Sequence, residues 1–117
     1  CRHASVTFDA VLGLSLPIPY TKQGPVQLRD CMDLFTAEER LDNENSWHCD
    51  KCKEKTPTTK RINLFRLPEC LIVHLKRFKY NAYGTITSKL ETVVEFPVEG
   101  WDLRPWLPRA IARDYDR

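Results

Sequence analysis

Two cysteines separated by two residues, Cys49 and Cys52, are the pair whose type and spacing most directly indicate chemistry. A turn of that length lets both sulfurs face one tetrahedral zinc ion, and neighbouring Lys51 and Lys53 favour the deprotonated thiols that metal binding requires. The same spacing occurs in redox motifs that open a helix after a strand. The stretch 53–59 is polar and contains a proline, so it does not predict that helix. A zinc ligand pair is the favoured interpretation, and a redox pair is the alternative.

The other cysteines have different surroundings. Cys31 falls on the apolar stripe of an amphipathic helix and Cys70 adjoins an apolar strand, so both are interpreted as packing residues rather than nucleophiles. With Cys1, the chain has five cysteines, an odd number that cannot all pair as disulfides within the chain. Two of them have the spacing of a metal-ligand pair, which favours a reducing compartment, and we therefore expect a cytoplasmic or nuclear protein.

The stretch 66–80 is the element around which the others must pack. It is apolar from Cys70 to Leu75 and contains the β-branched pair Ile72 and Val73, which favours a buried strand over a buried helix. A strand that is apolar on both faces must be packed against other elements on both sides. His74 is accordingly predicted to be a hydrogen-bonded core histidine. One face would carry Leu71, Val73 and Leu75, and the other Ile72, His74 and Phe78.

The remaining pattern predicts an α+β fold that is mostly β. Apolar residues at helical spacing predict one amphipathic helix at about 28–39. Alternating or apolar segments predict strands at 4–9, 58–67 and 90–96, and a turn is predicted at 81–85.

Composition describes an ordinary globular protein of one domain. The chain has 117 residues, 42% of them hydrophobic and 29% charged, and no apolar run is long enough to span a membrane. Its formal net charge of +2 is too small to imply a nucleic-acid partner. It begins with Cys1 and its only methionine is Met32, so we expect a segment of a longer protein.

Five motifs occur together in one order, and the set resembles the ubiquitin-specific proteases, papain-like cysteine peptidases that remove ubiquitin from proteins. The resemblance covers about residues 1–108, in the segments 5–19, 28–35, 47–52, 66–78 and 94–97. It implies zinc-ribbon fingers at about 1–66 and part of an antiparallel palm sheet with a blocking-loop region at about 67–108. The tail 109–117 has no assignment.

The resemblance also implies a ligand set for a structural zinc ion. Cys49 and Cys52 match one ligand pair, and Cys1 matches the second cysteine of the other pair. The fourth ligand is expected three residues upstream of Cys1. His3 and His48 are less favoured substitutes.

No catalytic residue is predicted within this chain. The family's nucleophilic cysteine is expected upstream, and its base histidine with an orienting Asp or Asn is expected downstream. Tyr115 and Asp116 are candidates for the start of the tract leading to that histidine. The chain alone is therefore expected to be inactive.

Ubiquitin and ubiquitinated proteins are the expected partners. The loop 81–89 matches the blocking loop in position, although a simple hairpin connection fits it equally well. The cationic tail of ubiquitin would be contacted by Glu91, Glu95, Tyr83 and Gly84.

Two other classes of function stay open at this point. One is a ubiquitin-binding zinc ribbon without chemistry, or an inactive family member. The other is a nucleic-acid-binding ribbon. It is suggested by two groups of basic residues, Lys51, Lys53, Lys55, Lys60 and Arg61 in the first and Lys76, Arg77 and Lys79 in the second. It is opposed by acidic residues nearby in sequence. A nucleic-acid partner is accordingly not expected.

Overall fold

A computed structural model describes residues 1–115 as one helix of two turns, several short strands and a helical tail. The strands are β1 (Leu14–Leu16), β2 (Val26–Gln27), β3 (Glu39–Leu41), β4 (Trp47–His48), β5 (Lys55–Thr56), β6 (Thr58–Lys60), β7 (Val73–Leu75), β8 (Phe78–Tyr80), β9 (Ile86–Lys89) and β10 (Val94–Glu95). The helices are α1 (Leu28–Phe35) and α2 (Arg109–Ala112), with 3₁₀ turns at Asn43–Asn45, Arg104–Trp106 and Arg113–Tyr115. The α+β class is confirmed.

The strands pair two by two, and the two core ladders are parallel. β1 pairs with β7 so that Leu14 lies opposite Val73, and β2 pairs with β10. The ladders β3–β6, β4–β5 and β8–β9 are antiparallel. The prediction that β7 belongs to an antiparallel sheet is therefore wrong. An apolar run indicates which residues are buried, but it does not determine the direction of the partner strand.

The core lies where α1 packs against β1 and β2. Leu16, Cys31 and Met32 are fully buried there, and the indole of Trp106, from the 3₁₀ turn Arg104–Trp106, joins them. Cys31 is thus a core residue, as its place on the apolar stripe predicts. The buried cluster consists of Leu14, Leu16, Val26, Leu28, Cys31, Met32, Val94 and Trp106.

Helix α1 begins and ends through local hydrogen bonds. The backbone N–H of Gln27 donates to the carboxylate of Asp30 at 2.9 Å, which gives a capping box at the first turn. The helix stops at Phe35 rather than at about 39, because Thr36 leaves helical geometry while its hydroxyl donates to the carbonyl of Met32 at 3.0 Å. Glu39 then enters β3.

The central apolar stretch has cover on one face only among the described residues. Leu71, Val73 and Leu75 are half-buried against the core, whereas Ile72 is 62% exposed and His74 is also exposed. The predictions of a second covered face and of a core histidine are therefore wrong. The predicted packing role of Cys70 is also wrong, since this residue is exposed in the loop before β7.

Several predicted strands are shorter or missing. Residues 4–9 form no strand, because alternation alone supplies no partner, and the ring of Phe8 instead meets that of Phe65 at 4.7 Å between centroids. The strand predicted at 58–67 is limited to β6, and the one at 90–96 to β10. Conversely, β9 forms inside the predicted loop 81–89 and makes a hairpin with β8.

The C-terminal segment 101–115, which includes the described part of the unassigned tail 109–117, is attached to the rest of the fold. Its clearest anchors are the carbonyl of Trp106, which accepts from the N–H of Leu64 at 3.2 Å, and the hydroxyl of Tyr115, which accepts from the N–H of Leu67 at 3.0 Å. Asp116, named as a candidate for the tract toward a catalytic histidine, lies outside the described residues.

Candidate metal centre

The Cys49–Cys52 pair lies on the turn that joins β4 to β5. Because Trp47 pairs with Thr56 and His48 with Lys55, the two strands bring the chain back on itself immediately around the cysteines. The N–H of Cys49 donates to the carbonyl of Glu54 at 2.9 Å, which closes this hairpin.

The turn is tightened at Lys53. Its N–H donates to the carbonyl of Cys49 at 2.7 Å, and its backbone has a φ of 60°, in the left-handed region. A strand follows the second cysteine, whereas a redox pair would be followed by a helix. The local fold therefore favours a metal knuckle over a redox site.

Cys1 reaches this turn from the other end of the sequence. Its sulfur lies 3.7 Å from that of Cys49, and the sulfurs of Cys1, Cys49 and Cys52 all lie within 4.8 Å of one another. Cys49 is buried, Cys52 is half-buried and Cys1 is exposed. The three cysteines predicted to be ligands are thus brought together.

The spacing of the sulfurs fits a tetrahedral ion. With metal–sulfur bonds of about 2.3 Å, two thiolates on one zinc ion lie about 3.8 Å apart, close to the distance between Cys1 and Cys49. Three soft thiolate donors suit zinc better than calcium or magnesium, which prefer oxygen. This group of described residues can therefore hold a metal ion, and it contains neither His3 nor His48.

The electrostatics of the turn favour a thiolate at Cys49. The backbone N–H of Cys52 points at its sulfur and lowers the pKa of Cys49 below the usual thiol value. The N–H of Lys51, the side chain of Cys52 and the positive amino terminus act in the same direction, against the opposing effect of burial. For Cys31 the balance is reversed, because burial in the core, assisted by Asp30, raises its pKa.

The residues predicted to contact a ubiquitin tail fall into two groups. Tyr83 and Gly84 lie at the tip of the β8–β9 hairpin, where Gly84 has a φ of 77° and the side chain of Asn81 accepts from the N–H of Tyr83 at 2.9 Å. Glu91 and Glu95 come after the hairpin. The two groups lie apart, because the four residues of β9, each with a rise of about 3.3 Å along the strand, run between the tip of the hairpin and Glu91.

Both acidic residues are held by neighbours. Glu91 pairs with Lys89 at 3.7 Å, and the carboxylate of Glu95 accepts from the side-chain amide of Gln27 at 2.6 Å. Neither Gln27 nor Arg77 was predicted from the sequence to contact these acids. The guanidinium of Arg77 donates to the backbone carbonyls on both sides of Glu91. No local pattern could have found them, because each lies more than ten residues from its partner and Arg77 resembles part of a solvated basic run.

Among the described residues, no helix is both long and apolar enough to cross a lipid bilayer.

Comparison with known proteins identifies the family. Residues 27–114 match a sequence model described as "Ubiquitin carboxyl-terminal hydrolase", which is well over half of the chain. This chain belongs to the ubiquitin carboxyl-terminal hydrolase family. The resemblance to ubiquitin-specific proteases drawn from the five motifs is thereby confirmed.

Relatives within the ubiquitin carboxyl-terminal hydrolase family are much longer than this chain. Ubiquitin carboxyl-terminal hydrolase 4 of Bos taurus is 46% identical over 94 residues, which is 80% of this chain and 10% of that protein. Ubiquitin carboxyl-terminal hydrolase 15 of Homo sapiens is 45% identical over 82 residues, which is 70% of this chain and 8% of that protein. The chain therefore spans about a tenth of the length of these relatives.

Solved structures of the family share the backbone arrangement. A chain of the SAGA Ubp8/Sgf11/Sus1/Sgf73 DUB module bound to ubiquitin aldehyde matches with a TM-score of 0.70 and 28% identity, over 92% of this chain and 22% of that chain. A chain of the same module bound to monoubiquitin matches with a TM-score of 0.69 and 29% identity, over 89% of this chain and 22% of that chain.

Proposed function

We propose that this chain is the ubiquitin-gripping part of a thiol-dependent deubiquitinase that hydrolyses isopeptide bonds at the C-terminus of ubiquitin. The observation that carries the proposal is the backbone match, over 92% of the chain, to a DUB module bound to ubiquitin aldehyde. The identity of 46% to a ubiquitin carboxyl-terminal hydrolase supports it from the sequence side.

The chemistry of such an enzyme is assigned to segments other than this one. Cys31 is fully buried and its pKa is raised, which is the opposite of what an attacking thiolate needs. In the intact enzyme a thiolate would attack the isopeptide carbonyl, and the lysine amine would leave after taking a proton from the imidazolium of the base histidine. Water would then hydrolyse the resulting thioester and release ubiquitin. This chain would bind and orient ubiquitin for the attack.

A structural zinc ion completes the proposal. Cys1, Cys49 and Cys52 would supply three thiolates, and a fourth ligand would come from upstream of Cys1. The zinc would fix the β4–β5 turn at the end of fingers formed by about residues 1–66. Palm strands would occupy about residues 67–108.

Glu91, Glu95, Tyr83 and Gly84 are proposed contacts for the extended, cationic tail of ubiquitin. The exposed side chains of the two acids and of Tyr83 support this role, since a cationic segment needs accessible carboxylates and an open surface. The thiol-rich metal site suits a reducing compartment, so we place the protein in the cytoplasm or nucleus.

The proposal is tested by titrating the ¹⁵N-labelled chain, loaded with zinc, with unlabelled ubiquitin. We expect saturable shifts of amide signals in β7–β10 and in the β4–β5 turn, and weaker binding by ubiquitin that lacks its C-terminal tail. A ubiquitin aldehyde probe should leave the chain unlabelled. Absence of saturable shifts, or covalent labelling of this chain, would contradict the proposal.

A ubiquitin-binding module without chemistry is the second candidate. It differs from the enzyme in the segments outside this chain, since the buried Cys31 is kept from contact with substrate in both cases. A chain extended at both ends that binds ubiquitin but shows no turnover of a ubiquitin–lysine isopeptide would support this candidate over the enzyme.

A further inference from the structure

Arg77 lies between β7 and β8 and contacts the segment that follows the β8–β9 hairpin. Its Nη1 donates to the carbonyl of Leu90 at 3.0 Å and to the carbonyl of Thr92 at 2.7 Å. One guanidinium nitrogen carries two hydrogens, so both bonds can form at once. The N–H of Leu90 also donates to the carbonyl of Arg77 at 2.7 Å. Backbone and side chain of a single residue therefore hold this segment.

The two carbonyls held by Arg77 flank Glu91. Leu90 and Thr92 are half-buried, whereas the side chain of Glu91 is 80% exposed. Burial alternates along this segment, with residues 90, 92 and 94 turned inward and 91, 93 and 95 exposed, so holding residues 90 and 92 keeps residue 91 outward. The backbone of Glu91 is thus held independently of its side chain, whose carboxylate forms an ion pair with Lys89 at 3.7 Å.

The other end of the same segment is fixed independently. β10 pairs with β2, and the side chain of Gln27 donates to the carboxylate of Glu95 at 2.6 Å. The peptide from Leu90 to Glu95 is thus held at both ends. The side chain of Arg77 holds the backbone on either side of Glu91, whereas Lys89 contacts only the carboxylate of Glu91.

We propose that Arg77 is a positioning residue that presents Glu91 as a fixed carboxylate to a cationic, extended segment of the bound partner. The inference rests on the proposed function, which supplies ubiquitin as the partner. Lysine should not replace arginine here, because its flexible ammonium lacks the planar donor geometry that holds two carbonyls together. A role limited to stability of the hairpin is the competing explanation, and a double-mutant cycle separates the two.

The experiment measures ubiquitin affinity of the zinc-loaded chain by titration for wild type, R77K, E91Q and the double variant. We expect E91Q and R77K each to weaken binding about two- to fivefold, the effect of one exposed ion pair. The double variant should bind no more weakly than E91Q, because Arg77 acts through Glu91. Binding by E91Q should also depend less on salt than binding by wild type.

K79R is the matched control, since Lys79 is an exposed cation on β8, two residues beyond Arg77, and the charge is kept in both exchanges. It should leave affinity within twofold of wild type, and an equal loss in K79R would mean that exchanging any cation of this surface weakens binding and that the geometry of Arg77 is not the cause. Circular dichroism checks that R77K is folded. E91Q leaves every bond of Arg77 in place, so it tests the inference even if R77K unfolds.

The outcomes separate the two levels of the proposal. If wild type fails to bind ubiquitin, the proposed function and this inference both fall. If wild type binds but E91Q matches it, or if the losses of R77K and E91Q add in the double variant, only the inference is overturned.

Discussion

The indole Nε1 of Trp106 donates a hydrogen bond to the carboxylate of Asp33 at 2.9 Å. This contact connects the C-terminal segment 101–115 to helix α1 over a separation of 73 residues. Trp106 is buried in the core, so its polar nitrogen needs such a partner. The segment around Trp106 is therefore part of the folded unit.

Removing this partner should destabilise the fold. We expect D33A to lower the free energy of unfolding by about 1–2 kcal/mol, because it leaves the buried indole N–H of Trp106 without its acceptor. Urea denaturation followed by tryptophan fluorescence measures the change. D9A, which alters an exposed carboxylate in the extended N-terminal stretch, should leave the midpoint unchanged. Equal midpoints for D33A and wild type would show that the bond contributes nothing.

Restoring a fourth thiolate should tighten metal binding. We expect a chain extended by Cys-Xaa-Xaa before Cys1 to bind zinc on the order of tenfold or more tightly than the chain itself, since each thiolate adds to the binding free energy. Competition with a chromophoric chelator measures the affinity. A matched extension with Ser in place of the new Cys isolates the effect of the sulfur. Identical affinities for the two extensions would show that the added residue is not a ligand.

Gly13 should not tolerate a side chain. A Cβ at this position would lie 2.9 Å from the carbonyl oxygen of Ile72, the same oxygen that accepts from the N–H of Leu14 at 2.8 Å. We expect G13A to lower the free energy of unfolding by about 1–3 kcal/mol, because the backbone of β1 must move away from β7. S15A, at an exposed position of β1, is the control and should change it by less than about 0.5 kcal/mol. An unaffected G13A would show that the two strands adjust at no cost.

Asp102 should contribute to stability in acid. Hydrogen bonds from Arg104, two from its guanidinium and one from its backbone N–H, lower the pKa of Asp102 to about 2. Since the unfolded value is about 3.9, its contribution is complete above that pH and is lost as the pH falls through about 2.

Urea midpoints for wild type and D102N measured between pH 6 and pH 2 test this expectation. The two curves should converge at the acid end, because a protonated Asp102 resembles asparagine. An NMR titration of the carboxyl carbon gives the pKa directly. A value near 3.9 in the folded chain would contradict the assignment.

Local patterns were sufficient for some of these features. Helix α1 followed from the spacing of Leu28, Cys31 and Met32, and the metal turn followed from two cysteines close in sequence. The third thiolate was different, because nothing within the sequence near Cys49 indicates that Cys1 returns to it. That placement came from the resemblance to a family.

Other features depend on tertiary context that a pattern does not contain. The apolar residues of 70–75 predicted burial on both faces, but only the face of Val73 and Leu75 meets the core, and Ile72 is left exposed. The direction of β7 was open, because parallel and antiparallel partners accept the same residues. The hydrogen bonds from Arg77 to the carbonyls of Leu90 and Thr92 connect residues on opposite sides of the β8–β9 hairpin, so no local pattern indicates them.

The parallel pairing of β1 with β7 has a consequence for folding during synthesis. Leu14 and Val73 are about 60 residues apart in sequence, and Val26 pairs with Val94 over a still longer separation. Folds dominated by such distant contacts form slowly, because the entropy of closing a long loop is lost before the contact can contribute any stabilising free energy. During synthesis, β1 must therefore wait, accessible to chaperones, until β7 has emerged from the ribosome.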